Sequence, residues 1–94
     1  MIRVALRAGL LEVKFHGDPI VCAGVSALTI TCVNFIKGKL QPNAQLDFDD
    51  EGGFIHLSYD DSCRDVGLVI ALLHDGLEQI KEIHPNEIMI KKGD

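Results

Sequence analysis

The sequence has no tryptophan, a single tyrosine and only 5% aromatic residues, so its core must be built from aliphatic side chains. It has three cysteines, an odd number, and none sits in a CxxC or other paired spacing. That argues against a disulfide framework and a structural zinc site, and it leaves Cys22, Cys32 and Cys63 as reduced thiols of a cytoplasmic protein. No metal and no cofactor are expected. There is no basic run: net charge is −5, and the only adjacent lysines are Lys91 and Lys92. Direct nucleic acid binding through a basic face is therefore not expected. Nor is a targeting segment expected. The N-terminus alternates like a strand and carries Arg3 and Arg7. The longest apolar stretch, Pro19 to Val33, is interrupted by Ser26, Thr29 and Thr31. It reads as too short to span a bilayer, and no membrane partner is expected.

What the chain does have is apolar residues, 47% of the total, with mean hydropathy +0.17. Its length makes one domain, residues 1–94, and such a chain buries only about 60–65% of its unfolded surface. A small core with apolar surface left over predicts a homodimer.

The pattern along the chain reads ββαββαβ. Ile2 to Arg7 alternates apolar with mostly polar, Ala8-Gly9 makes a turn, and Leu11, Val13 and Phe15 alternate with Glu12, Lys14 and His16. That is a hairpin with His16 at its end, on the polar side. A helix follows from Pro19 to about Lys37, stopped by Gly38. Its apolar residues run nearly all the way round, so it should be covered on more than one side. Ala44 to Asp49 and Phe54 to Tyr59 form a second hairpin. Ser62-Cys63-Arg64-Asp65 has the form of a capping box and opens a second, amphipathic helix that Pro85 ends. Ile88 to Ile90 is a final strand. These elements predict a two-layer α+β domain, one sheet with two helices packed on one face. Asp47, Asp49, Asp50 and Glu51 gather at a hairpin tip; they read as a solvated turn, or as a lure for a basic segment or a cation.

The chemistry concentrates at the start of the first helix. Asp18 and Pro19 are the residue types that cap and open helices, and they put Cys22 about one turn inside. Unpaired N–H groups at a helix start favour negative charge, the condition a thiolate nucleophile needs, and could form an oxyanion hole. His16 precedes Cys22 by six residues and supplies an imidazole. A thiol with a nearby imidazole is the minimum equipment for nucleophilic catalysis; the alternative is a buried, inert thiol beside a solvated loop histidine. Asp18 reads as an N-cap first and an orienter of His16 second. Ser26, one turn beyond Cys22 on the same face, either donates a hydrogen bond near the thiolate or bonds to the carbonyl one turn behind it. Cys32 and Cys63 read as packing residues, His56 and His74 as surface residues, and His84 as structural.

The string Val21-Cys22-Ala23-Gly24-Val25-Ser26-Ala27-Leu28 resembles the signature of the ribosomal-processing cysteine protease family, Prp, also called YsxB-like. The tail, Leu77 to Pro85 followed by Glu87 to Ile90, is similar to that family's last helix, proline break and closing strand. The resemblance covers the whole chain. It implies a two-layer α+β homodimer that removes a short N-terminal extension from a large-subunit ribosomal protein, or that processes a phage capsid or scaffold protein. It implies Cys22 as nucleophile and His16 as base, with Asp18 and Ser26 in support. Three departures accompany it. Phe15-His16-Gly17 stands where the family has Gly-His-Ala, the segment between His16 and Cys22 is shorter, and the supporting aspartate lies one place earlier, with Pro19 in its stead. His16 is thus either the catalytic histidine or a loop residue. The alternative function is a catalytically silent relative that binds a ribosomal or capsid protein without cleaving it.

Overall fold

The computed structural model describes residues 1–49 and 51–93. The chain order is β1 (Ile2–Arg7), β2 (Leu10–Lys14), α1 (Pro19–Phe35), a π-helical turn (Ile36–Leu40), β3 (Gln45–Asp49), β4 (Phe54–Ser58), α2 (Arg64–Ile83) and β5 (Ile88–Lys92). The strands form one sheet in the order β3-β4-β2-β1-β5, with only β1 and β5 parallel. The two-layer α+β arrangement predicted from the pattern is the one observed.

Alternation decides which face the helices cover. The register runs Ile90–Val4–Val13–Ile55–Phe48 across the five strands, and this row belongs to the helix-facing side. Ile2, Val4, Leu6, Leu11, Val13, Ile55, Leu57 and Ile88 are all buried there. Each such aliphatic side chain contributes about 1.5–3 kcal/mol relative to exposure. The row one residue on, Lys91–Ala5–Glu12–His56–Asp47, lies on the other face and is mostly polar.

α1 sends Val21, Val25, Thr29, Cys32 and Val33 into the core; α2 sends Val66, Leu73 and Leu77. The helices pack on each other where Leu28 lies over Gly76 and Ile80 faces Gly24. A Cβ at position 76 would meet the end of the Leu28 side chain, which would have to move to admit it. α1 is thus covered by the sheet on one side and α2 on another. The remaining side leaves Ile20 80% exposed, with Ala23 and Ala27 outward beside it. Counted through the π-helical turn, the helix runs 22 residues from Pro19 to Leu40 and contains an 18-residue stretch of mean hydropathy 1.9, long and apolar enough by those measures to cross a bilayer. The sequence estimate of its length was too short; its buried side is packed on the sheet.

Two local expectations are corrected. Gly38 does not stop the helix, which continues as a π-helical turn closed by Gln41 N–H donating to the Ile36 carbonyl at 2.7 Å. The stop lies in partners elsewhere. Gln41 exchanges two hydrogen bonds with the Asp60 backbone, at 2.8 and 2.9 Å, and Lys37 Nζ donates to the Pro42 and Ala44 carbonyls. The capping box is not made either: Cys63 is the N-cap of α2 and contributes no side-chain bond. The Asp60 carboxylate takes both the Ser62 hydroxyl, at 2.7 Å, and the Ser62 N–H, at 3.0 Å. Those bonds hold the Asp60 carboxyl below its ordinary range.

Candidate active site

The site is assembled where β2 leaves the sheet and α1 begins. Phe15 N–H donates to the Gly53 carbonyl at 2.7 Å, which extends the β2–β4 pairing by one residue and releases the chain at His16. Gly53 is in the left-handed region, φ 68°, and a Cβ there would lie 3.2 Å from the Phe15 carbonyl. Only glycine satisfies both conditions without strain.

The short connection to α1 is held at Asp18. Its N–H donates to Glu87 Oε2 at 3.3 Å, tying it to the approach to β5. Its Oδ1 accepts from Ile20 N–H at 2.9 Å and Val21 N–H at 3.2 Å. Its carbonyl accepts from Cys22 N–H at 2.8 Å. Asp18 is therefore the N-cap of α1, as its position suggested, with Pro19 opening the first turn. Pro19 has no N–H, and the next three are all taken by Asp18. The oxyanion hole expected from the helix-start N–H groups is not available in this arrangement. The cap that secures the helix consumes its donors.

Cys22, Ser26 and Ile30 follow at helical spacing and form one wall of a cleft of about 320 Å³. The β3–β4 hairpin forms the opposite wall with Phe48, Asp49, Glu51, Gly52 and Gly53, and Phe15 and His16 close one end. Cys22 and His16 thus share the cleft, without a hydrogen bond between them among the described residues. Asp18 is not on its walls. The Ser26 hydroxyl makes no bond to another described residue, whereas Thr31 Oγ1 on the same helix bonds back to the Ala27 carbonyl at 2.7 Å. Ser26 therefore keeps its donor for whatever occupies the cleft.

The acidic tip behaves in part as a turn. Asp49 Oδ1 accepts from Gly52 N–H at 2.8 Å, and the Asp49 carbonyl from Gly53 N–H at 2.8 Å. Asp49 and Glu51 nevertheless border the cleft, while Asp47 is on the other face of the sheet and Asp50 lies outside the described residues. Cys32 is 6% exposed, and burial pushes its thiol up. Cys63 is half-buried at the start of α2. His74 lies 3.4 Å from Glu78 on the same helix. No group of three metal-ligating side chains occurs among the described residues. A second hollow, of about 290 Å³, lies at the other end of the sheet among Arg7, Tyr59, His74 and Lys92; it holds no thiol.

Spacing within the sequence identified the thiol wall but not the hairpin wall. Phe48 and Gly53 come to Cys22 only through the pairing of β3, β4 and β2, which no local pattern encodes.

Comparisons with known proteins bear on the family and the fold. A sequence model of the family described as "Cysteine protease Prp" matches residues 11–89. The ribosomal processing cysteine protease Prp of Staphylococcus aureus is 32% identical over 76 residues, covering 80% of this chain and 72% of that protein. Its crystal structure in complex with a covalently linked product peptide superposes with a TM-score of 0.87 at 27% identity, covering 99% of this chain and all of that one. Its crystal structure with a substrate peptide superposes with a TM-score of 0.88 at 24% identity and the same coverage. On the family match and the identity to a curated member, this chain belongs to the cysteine protease Prp family.

Proposed function

We propose that this protein is a cysteine endopeptidase that removes a short N-terminal extension from a large-subunit ribosomal protein in the cytoplasm, with Cys22 as nucleophile and His16 as general base. The observation that carries the reading is the shared cleft: Cys22, His16 and Ser26 line one groove open to a peptide. The name of the S. aureus relative supplies the ribosomal substrate. The acidic rim of Asp49 and Glu51 suits a basic segment of such a protein.

In this reading His16 takes the Cys22 proton and the thiolate attacks the scissile carbonyl carbon. The carbonyl oxygen becomes an oxyanion, toward which Ser26 Oγ–H donates in place of the spent helix-start N–H groups. The imidazolium returns its proton to the leaving amine, and the C–N bond breaks. The remaining thioester is hydrolysed by water that His16 deprotonates, which regenerates the thiol. Asp18 supports this chemistry through the backbone, by fixing the turn that carries Cys22. The enzyme works as a homodimer, which covers the outward side of α1 around Ile20, Ala23 and Ala27.

A second reading rests on those spent donors: a silent relative that binds the ribosomal protein, or a phage capsid protein, without cutting it. Incubation with synthetic peptides copying the N-terminal junction of each candidate separates the readings. Cleavage seen by mass spectrometry with the unsubstituted protein, and lost in His16→Ala, supports the endopeptidase. Tight binding without cleavage supports the silent relative.

A further inference from the structure

β3 is an edge strand, and its free edge runs beside the cleft. The sheet order ends at β3, and Phe48, Asp49 and the turn after them form the wall opposite Cys22. Two hydrogen bonds fix which backbone groups face outward. Phe15 N–H donates to the Gly53 carbonyl across the Lys14–Phe54 pair, so the Phe54 backbone groups point away from β2 and toward Asp49. Gly53 N–H donates to the Asp49 carbonyl, which puts that carbonyl on the β4 side as well. By alternation Gln45, Asp47 and Asp49 pair with β4, while the N–H and C=O groups of Leu46 and Phe48 face the free edge.

An open edge beside a groove is unusual. Edge strands are commonly blunted with proline, lysine or a covering loop. β3 has neither proline nor lysine; its two charges, Asp47 and Asp49, sit at the positions that pair with β4, and its Phe48 is 51% exposed. The facing wall, Cys22, Ser26 and Ile30, is one stripe of α1, so the groove between helix and edge is straight and suits an extended chain. Strand addition to a sheet edge is a general mode of peptide recognition: backbone bonds supply affinity and alternate side chains enter pockets.

We propose that the substrate segment docks as a sixth strand on the free edge of β3, bonded to the backbone of Leu46 and Phe48. Alternate side chains of the segment enter the apolar groove formed by Phe15, Ile30 and Phe48. This rests on the endopeptidase reading, and it adds how the scissile bond is brought against Cys22.

The probe is a tripeptidyl chloromethyl ketone with an acetylated N-terminus and aliphatic side chains. The Cys22 sulfur forms a bond to its methylene carbon, chloride leaves, and the thiol proton passes to solvent. Labelling is located by mass spectrometry, and amide exchange is then compared with and without the label. Docking predicts that the Leu46 and Phe48 amides exchange at least about tenfold more slowly when labelled, while the Asp47 amide, already paired with β4, is unchanged. Label on Cys22 with unaltered exchange at Leu46 and Phe48 overturns the docking and leaves the thiol assignment standing. Failure to label Cys22 overturns both. A second arm uses Phe48→Pro, which removes an outward N–H and no bond to β4. Its labelling rate, normalised to that with iodoacetamide, should fall about 3–10-fold below that of Phe48→Ala. Equal normalised rates overturn the docking.

Discussion

Asp18 and Cys22 are joined by a backbone hydrogen bond of 2.8 Å, the Cys22 N–H donating to the Asp18 carbonyl. The same residue that caps α1 with its carboxylate thus fixes the turn that carries the thiol. Capping and site geometry are one structure, and a change at Asp18 reaches both.

Asp18→Ala removes two acceptor contacts at the helix start and should lower stability by about 1 kcal/mol, read as a lower midpoint in thermal unfolding. Asp18→Asn keeps an acceptor of the same shape and should retain most of that stability. If Asp18 acts only as a cap, Asp18→Asn cleaves the ribosomal junction peptide at close to the unsubstituted rate. Loss of cleavage with stability retained would assign the carboxylate a direct part in orienting His16.

Cys22 and Cys32 should separate by reactivity. Cys22 borders the cleft, whereas Cys32 is buried and burial disfavours its thiolate. Iodoacetamide near neutral pH should therefore label Cys22 well ahead of Cys32 in the folded protein, and denaturation should abolish the difference. Peptide mapping of a labelling time course reads this directly. Equal, slow labelling of both thiols would identify Cys22 as inert.

Thr29 lies fully buried on the core side of α1, and its hydroxyl has no partner among the described residues. A buried hydroxyl without a hydrogen bond is destabilising, and valine has nearly the same shape. Thr29→Val should raise stability by about 1 kcal/mol, or about 4–8 °C in melting temperature for a domain of this size. A fall in melting temperature would show that the hydroxyl is satisfied in solution.

Gly53 tests the hairpin wall. Its left-handed backbone and its approach to the Phe15 carbonyl make Gly53→Ala unfavourable by about 1–2 kcal/mol, measured by urea unfolding. Because that hairpin faces Cys22, peptide labelling of the thiol should slow as well. Unchanged stability would mean that the turn accommodates a side chain in another conformation.

The parts legible in the sequence are those whose causes are local. Alternation through Ile2 to Arg7 and Leu11 to Phe15 depends on a pleated strand half-buried on one face, and the sheet has that pattern. Asp18-Pro19 marks the helix start because the bonds it makes are to the next few residues. Gly38 and Ser62 misled for the opposite reason. Their surroundings are set by Gln41 bonding to Asp60 and by Asp60 competing for the Ser62 hydroxyl. The oxyanion hole misled because a good cap takes the same N–H groups that a substrate would use. On the site, Cys22, His16 and Ser26 were visible by spacing, while Phe48 and Gly53 reach the cleft through strand order.

The most direct measurement of the central claim is mass spectrometry of a ribosomal-protein N-terminal junction peptide after incubation with the unsubstituted protein and with Cys22→Ala. The account predicts two fragments that sum to the peptide plus one water with the former, and intact peptide, still bound, with the latter. Cleavage that persists in Cys22→Ala, or a peptide left intact by the unsubstituted protein, would contradict it.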